Sequence, residues 1–447
     1  MRLPFSGRHT GRADTVAELA ERARVLKSDD DLDPLIERLG RARVFLLGEA
    51  THGTHEFYDW RARITKRLIA EHGFSFVAVE GDWPDCYRVN RYVKGYEGIA
   101  TSAHETLDAF DRWPTWMWAN RDVEEFVEWL RHLNDNAVTT GRVGFYGLDV
   151  YSLWDSMREV VEYLERVDPP AAHEARKAYS CFEPFHGDEQ AYARATAMVP
   201  TSCEDEAITM LQAMRARAPQ YANDGMDAFF DAEQNALVAA NAERYYRTMV
   251  RGGSASWNVR DRHMTETLER LMAHHGDGAK AIVWEHNTHI GDARYTDMRR
   301  AGMVNVGQLA RERWDSEAVL VGFGTGRGTV LAADEWGMPV RVLGVPPAPE
   351  DSWEGLLHDA GGGRDLLLLF DGSDDGGVTG LDKPIGHRAI GVVYDPAYER
   401  YGNWVPSIVP RRYDAFVYIE QSRALVSLHG DDRSAVVSEP ETFPSGM

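Results

Sequence analysis

The sequence predicts an α/β fold with a central mixed, mostly parallel sheet flanked by helices, and a helical insertion that forms a cap or lid over a cleft. Short apolar runs are each followed by Gly, Asp or Glu and then by a helical pattern, which is typical of buried parallel strands and their connections. One long stretch instead has helical periodicity throughout. The 447 residues also exceed the usual size of one hydrophobic core, which favours a large domain with an insertion.

Eight apolar runs mark the predicted strands. They are RVFLLGEATHG from Arg43, FSFVAVEGDWPD from Phe74, RVGFYGLDVY from Arg142, KAIVWEHNTHIGD from Lys280, AVLVGFGTGRG from Ala318, LLLLF near Leu366, RAIGVVY from Arg388 and AFVYIE from Ala415. Runs of this kind, bounded by turn-forming residues, predict a mixed sheet of about eight strands.

The helical stretch lies between Ser152 and His275 and is rich in Ala, Glu, Arg and Met. It separates the third strand run from the fourth, so the core is predicted to be built from two pieces of chain. The predicted boundaries are 1–151 for the first part of the α/β core, 152–275 for the helical insertion and 276–447 for the second part of the core.

The charge balance narrows the range of partners. The chain has 49 Lys and Arg against 71 Asp and Glu, and its net charge of −22 repels nucleic acids and anionic membranes, so neither is expected as a partner. No apolar segment is long enough to span a bilayer or to act as a signal peptide. Cys86, Cys181 and Cys203 are odd in number and lack CxxC spacing, which fits reduced thiols in a cytoplasmic protein.

Carboxylates and imidazoles follow four of the predicted strands. Ligands of open α/β sheets bind beyond the carboxyl ends of the strands, where the loops converge. Four ends of this kind indicate one shared cleft better than any of them does alone. The residues are Glu49 and His52 after the first run, Glu80 and Asp82 after the second, Asp149 after the third, and Glu285, His286 and His289 after the fourth.

His52 is the best candidate for a general base. It lies between a strand and the next helix, which places its ring at the mouth of the cleft. A neutral imidazole takes a proton from water near pH 7, and a carboxylate such as Glu49 or Glu80 orients the other ring nitrogen.

The helix that follows His52 carries an arginine on its apolar face. At about 100° per residue from Phe57, Arg61 falls at about 40°, inside the apolar stripe. The stripe consists of Phe57, Trp60, Ile64 and Leu68. A buried guanidinium needs carboxylate partners, for which Glu49 and Glu80 are nearest along the chain. The alternative is that Arg61 reaches solvent from the edge of the helix.

Metal binding is an alternative use of the same side chains. His286 and His289 are three positions apart and, with His52 and the strand-end acids, have suitable ligand chemistry. The sequence has no HExxH motif and no other close ligand pair, so we expect no metal and no cofactor. A metal-dependent hydrolase, or a metal- or haem-handling protein, is the alternative.

Tryptophans are dense just before an amphipathic helical pattern that ends near Asn134. Trp113, Trp116 and Trp118 lie within six positions, and an aromatic wall beside an acidic cleft suits a large, mostly apolar ligand with few polar groups. Core packing at the sheet edge explains any one of them equally well. The candidate substrate-binding residues are Trp83, Trp116, Trp118, Asp149 and His286.

Six motifs in this order resemble the erythromycin esterase family. They are GEATHGTHEF, VEGDWPD, WPTWMWANRDVEEFVEWLRHLN, YGLDVYS, WEHNTHIGD and VGFGTGRG, and weaker similarity extends through VPPAPEDSWEGLLHD, RAIGVVYDP and RRYDAFVYIE.

The resemblance implies an α/β domain with a helical subdomain, and hydrolysis of a macrolide lactone by histidine-activated water without a bound metal. It places the family's base on His52, its acidic partners on Glu49 and Glu80, its arginine on Arg61 and its second histidine on His289. His286 lies in the same motif and is the alternative to His289.

The resemblance points to the active site more than to one substrate. Antibiotic resistance through macrolide hydrolysis is one expected role, and a biosynthetic enzyme that transfers acyl groups with the same residues is another. A binding or scaffold protein with an idle site is a third. The sequence has no G-x-S-x-G motif, so direct attack by water is expected, with a transient anhydride on Glu80 as the alternative. Nothing in the sequence indicates the oligomeric state.

Overall fold

A computed structural model describes residues 11–96, 98, 100–136, 141–185, 187–198, 202–221, 226–250, 252–373 and 376–429. Its eleven strands are β1 (Arg24–Val25), β2 (Val44–Leu47), β3 (Phe76–Asp82), β4 (Gly144–Asp149), β5 (Ala281–Trp284), β6 (Ala318–Ala333), β7 (Val340–Val345), β8 (Leu366–Leu369), β9 (Ile385–Arg388), β10 (Trp404–Ser407) and β11 (Ala415–Ser422).

Nine of these strands form the main sheet, in the order β1-β8-β11-β6-β2-β5-β3-β4, with β7 paired to β6. The pairs that join β11, β6, β2, β5, β3 and β4 are all parallel. Within this main sheet, antiparallel pairing is confined to β1 with β8, β8 with β11, and β6 with β7. The predicted mixed, mostly parallel sheet is therefore confirmed.

The described part of the chain contains seventeen α-helices. They are α1 (Arg12–Arg22), α2 (Asp33–Leu39), α3 (His55–His72), α4 (Trp83–Val93), α5 (Ala103–Asp108), α6 (Arg121–Asp135), α7 (Leu153–Val167), α8 (Pro169–Tyr179), α9 (Glu189–Met198), α10 (Glu204–Tyr221), α11 (Met226–Met249), α12 (Ser254–His275), α13 (Asn287–Ile290), α14 (Val306–Trp314), α15 (Trp353–Gly361), α16 (Glu399–Gly402) and α17 (Val409–Arg412). Among the described residues, no helix is long and apolar enough to cross a membrane.

The two faces of the sheet pack into separate hydrophobic clusters. In β2, Phe45 and Leu47 join the cluster on one face, while Val44 and Leu46 join the cluster on the other. Successive side chains of a strand point to opposite faces, so a strand buried on both faces reads as one continuous apolar run. This is why the short central strands could be recognised in the sequence.

One predicted strand is largely absent from the structure. Of RAIGVVY, only Arg388 belongs to a strand, as the last residue of β9. Ile390 and Val393 instead form isolated bridges, to Thr51 and to Ala333. The segment meets a different neighbour at each bridge, so no continuous ladder forms despite its apolar composition.

Residues 153–275 contain the six helices α7 to α12. Helices α7 to α11 share a hydrophobic cluster that includes Met214, Ala236 and Tyr246, whereas the buried Met and Leu side chains of α12 join a cluster on one face of the sheet. Whether this stretch is a separate unit with the predicted boundaries stays a prediction. The expectation of reduced cysteines is wrong for one pair, because Cys181 and Cys203 form a disulfide within the stretch. Spacing along the chain did not reveal the pair, since folding brings together two residues 22 positions apart.

Candidate active site

The loop between β2 and α3 carries Glu49 and His52 and is fixed by its backbone contacts. The amide of Ile390 donates to the carbonyl of Ala50 at 2.8 Å, and that of Leu331 donates to the carbonyl of Gly53 at 3.0 Å. A Cβ atom on Gly53 would lie 1.9 Å from the carbonyl oxygen of Leu331, so glycine is required for this close approach. The position of the His52 ring therefore depends on contacts distant in sequence.

Glu49 links His52 to the buried arginine. One carboxylate oxygen of Glu49 lies 2.8 Å from Nδ1 of His52, and the other lies 2.7 Å from a terminal nitrogen of Arg61. Arg61 is fully buried, with its guanidinium 4.2 Å from the ring centroid of Tyr58 and 5.1 Å from that of Trp284. The alternative in which Arg61 reaches solvent is wrong, and its ion-pair partner is Glu49 rather than Glu80.

This arrangement sets the tautomer of His52. Nδ1–H of His52 donates to the carboxylate of Glu49, which lies beside Arg61, and this leaves the lone pair of Nε2 as the acceptor. His52 also lines the cleft that is described below. The ring is therefore prepared to take a proton from a molecule in that cleft.

Replacing Arg61 with lysine is expected to lower both turnover and melting temperature. A lysine ammonium is a point charge, and it reproduces neither the planar stacking on Tyr58 and Trp284 nor the directed contact with Glu49. The measurement is kcat with a thermal melt, and Arg63→Lys on the same helix is the control because Arg63 is partly exposed. Full activity and an unchanged melting temperature in Arg61→Lys would contradict the assigned partnership.

Glu80 is held in the cleft by groups from three directions. Its Oε1 accepts from Arg260 at 2.7 Å, its Oε2 accepts from the amide of His286 at 2.8 Å, and Nε2 of His289 lies 3.4 Å from Oε1. Burial alone raises the pKa of Glu80, but His289, Arg260 and His52 together outweigh burial and hold the pKa well below its ordinary value. Glu80 is therefore a carboxylate at any pH near neutrality.

The sequence analysis missed Arg260 and Asp261 of α12. Arg260 forms a two-point ion pair with Asp149, at 2.9 Å from Nε and 2.6 Å from a terminal nitrogen. Asp261 accepts from Nδ1 of His289 at 2.9 Å, and Trp257 stacks on the His289 ring at 4.5 Å. The helix therefore supplies partners to three of the predicted site residues.

A signal for these two residues was present in the sequence. Arg260 and Asp261 lie on the same side of α12 as Trp257, Met264 and Leu268, all of which are buried. Charged residues inside an apolar stripe also identified Arg61, and the same test applied to residues 254–275 would have singled out this pair.

The two histidines of the EHNTHIGD motif have different surroundings. His289 is fully buried and belongs to the Glu80, Arg260 and Asp261 network. His286 turns its Nδ1 to the hydroxyl of Thr288 at 2.8 Å and packs its ring 4.9 Å from that of His52. Neither histidine lines the cleft; both contact side chains that do.

Glu285 is the third buried titratable residue of this motif. Neither of its carboxyl oxygens has a hydrogen-bond partner among the described residues. Burial, with Glu80 and Asp261 nearby, raises the pKa of Glu285 well above its ordinary value. Glu285 is therefore an uncharged acid beneath the network.

The cleft combines acidic with aromatic walls. Its lining includes the predicted residues His52, Glu80, Trp118 and Asp149, together with Asp82, Phe110, Trp113, Tyr151, Arg260 and Trp336. Trp118 donates from Nε1 to the carbonyl of Glu80 at 2.9 Å, and the rings of Trp113 and Trp336 lie 4.6 Å apart.

Two predicted substrate-binding tryptophans do not reach the cleft. Trp83 is fully buried, stacks on Tyr87 and Tyr146, and donates from Nε1 to Asp231 at 2.8 Å. Trp116 is 2% exposed and belongs to a hydrophobic cluster. Both therefore serve the core, which is the alternative that aromatic density alone could not exclude.

Two sequence relatives of the chain are named as an esterase or a hydrolase. The chain is 23% identical over 276 residues to erythromycin esterase type II of Escherichia coli, a match that spans 58% of this chain and 64%, less than two thirds, of that protein. It is 22% identical over 349 residues to YbfO of Bacillus subtilis strain 168, a protein named as a hydrolase, across 74% of this chain and 75% of the relative.

A solved structure of a mutant erythromycin esterase in its open conformation shares the fold. Its TM-score is 0.63 at 18% identity, over 89% of this chain and 95% of the other. The family and both sequence relatives are named as hydrolases, which supports the coarse prediction of a hydrolase. The model of the erythromycin esterase family matches residues 69–422, and the chain therefore belongs to that family.

Proposed function

We propose that this protein hydrolyses an ester or lactone, of the macrolactone type, by direct attack of water that His52 activates. The observation that carries the proposal is the chain of contacts from Arg61 through Glu49 to His52, which ends at the wall of a cleft. Glu49 fixes the ring and stabilises the imidazolium that forms when His52 takes a proton.

Glu80 is proposed to help position the attacking water. It lines the same cleft as His52 and is ionised, so it accepts a hydrogen bond from water while His52 takes the proton. The network behind Glu80 limits its movement, because Arg260 and the amide of His286 bind one oxygen each.

Arg260 is the proposed donor to the oxyanion that develops on the ester carbonyl. A guanidinium has five N–H donors, and four of those of Arg260 are directed at Asp149 (two), Glu80 and His289. One N–H is left, and Arg260 lines the cleft, where a charge-assisted hydrogen bond is strong. His289 and Arg61 do not line the cleft, so neither is placed to make this contact.

The walls of the cleft suit a mostly apolar substrate. Trp113, Trp118 and Trp336 offer flat apolar surface, and the polar groups are concentrated around His52 and Glu80. These properties suit a macrolactone ring with few polar substituents.

The experiment that tests the proposal begins with mass detection of hydrolysis in a panel of macrolides and other large lactones, since the product gains one water. A single turnover in oxygen-18 water with excess enzyme follows. Direct attack places the label in the product acid and none in the protein. Label in a peptide that carries Glu49 or Glu80, or a trapped acylated peptide, would indicate a carboxylate nucleophile instead.

Chelators are expected to leave turnover unchanged. The ring nitrogens of His289 both face protein partners, and Nδ1 of His52 is bound to Glu49. Across the described ranges, no three His, Cys, Asp or Glu side chains are grouped to hold a metal ion. The measurement is kcat after dialysis against a chelator, with metal analysis of the same sample. Loss of activity that one specific divalent ion restores would favour a metal-dependent hydrolase.

A further inference from the structure

Asp82 is an acidic side chain of the cleft to which the proposed mechanism gives no role. Asp82 is the last residue of β3 and lines the same cleft as His52 and Glu80. Its Oδ1 is buried and has no hydrogen-bond partner among the described residues, although the side chain as a whole is 12% exposed. Its Oδ2 lies 3.4 Å from Arg112, longer than a strong charge-assisted contact.

The charges that face Asp82 come from four elements. Arg112, in the segment after α5, is a cation, while Asp149 of β4, Asp85 of α4 and Asp155 of α7 are acidic. The cation nearest to Asp149, Arg260, is already paired with Asp149 and Glu80. Burial, opposed by Arg112 and reinforced by the three carboxylates, raises the pKa of Asp82 to about 8. Asp82 is therefore a carboxylic acid at neutral pH and has a proton to donate.

Ester cleavage needs a proton donor for the departing alcohol, in addition to the base that takes a proton from water. His52 receives the proton of the attacking water, but the departing alcohol leaves as an alkoxide unless another group protonates it. The alkoxide of an aliphatic alcohol is far more basic than a phenolate, whose conjugate acid has a pKa of about 10. An acid that is already protonated and lies in the same cleft meets this need.

We infer that Asp82 is a catalytic acid that protonates the leaving alcohol of the substrate, an inference that rests on the proposed hydrolase function. Water loses one proton to Nε2 of His52, and the resulting hydroxide adds to the carbonyl carbon to form a tetrahedral intermediate. The bond from carbon to the alcohol oxygen then breaks, and that oxygen takes the proton of Asp82. The acid product loses its proton to solvent, and imidazolium returns a proton to Asp82 through water, so each turnover consumes one water.

The test compares two esters of one acid, an alkyl ester and a p-nitrophenyl ester. Asp82→Asn is expected to slow the alkyl ester about a hundredfold, in the range of general acid catalysis, and to leave the aryl ester within about threefold, because nitrophenolate departs without a proton. Asp359→Asn is the matched control, because Asp359 is an exposed carboxylate that does not line the cleft, and it is expected to leave both esters unchanged.

A pH profile of the wild type gives a second readout that does not depend on a variant folding. Asp82 is active when protonated, so kcat/KM for the alkyl ester is expected to fall as the pH rises through about 8, and that of the aryl ester is not. Equal loss on both esters in Asp82→Asn, or no alkaline fall that distinguishes them, overturns the inference and leaves the hydrolase standing. Failure of the wild type to hydrolyse either ester overturns both.

Discussion

The variant His52→Ala is expected to lose at least about a hundredfold in kcat while keeping its fold. The substitution removes the base that takes the proton of water, and proton transfer of this kind contributes about a hundredfold to ten-thousandfold. The methyl group of alanine fits the space of the ring, and Glu49 keeps its ion pair with Arg61. The measurement is kcat on the best lactone of the panel, with a thermal melt of the same preparation.

His104→Ala is the matched control for this variant. His104 is 57% exposed, pairs with Glu124 and does not line the cleft, so its replacement is expected to leave kcat unchanged. Near-normal turnover by a folded His52→Ala protein would remove His52 from the mechanism, and with it the role assigned to Glu49.

The variant Arg260→Met is expected to lose both activity and stability. The Arg260 side chain is 5% exposed, and its removal leaves Glu80 and Asp149 buried without their cation. Removing one partner of a buried ion pair costs about 3–5 kcal/mol, because the remaining charge has no compensation. The measurement is the free energy of unfolding from denaturant titration, and Arg260→Met/Asp149→Asn is expected to recover part of the loss.

Arg313→Met tests whether the effect comes from burial. Arg313 of α14 pairs at 3.0 Å with Glu269 of α12, the helix that also carries Arg260. The side chain of Arg313 is 63% exposed. An exposed ion pair contributes at most about 1 kcal/mol, so this variant is expected to unfold almost as the wild type does. Similar losses of unfolding free energy in the two variants would mean that burial of Arg260 is not what makes its ion pairs important for stability.

Local sequence was sufficient to predict site residues that lie near a strand end or on a helix face. Glu49, His52 and Glu80 follow strands whose parallel order brings their carboxyl ends to one edge, and Arg61 stands in an apolar stripe of one helix. In each case the evidence lies within a few residues of the side chain. The sheet and this part of the site could therefore be predicted without a structure.

The contacts that join residues distant in the chain could not be predicted in the same way. Arg260 meets Asp149 and Glu80 only because α12 packs beside the sheet, and no local pattern states which helix does so. Trp83 was predicted to bind substrate because it adjoins the strand-end acids in sequence, but its ring packs in the core. Direction of a side chain depends on the turn that follows the strand, which composition does not reveal.

The contacts of α12 also bear on how the site would assemble during folding. A chain whose sheet has formed but whose α12 has not yet packed would carry His52 and Glu49 in place, yet Glu80, Asp149 and His289 would all lack their partners on that helix. Under the proposed mechanism, such a partly folded chain would not hydrolyse esters. Packing of α12 would then complete the site and shield its buried charges from water in one step.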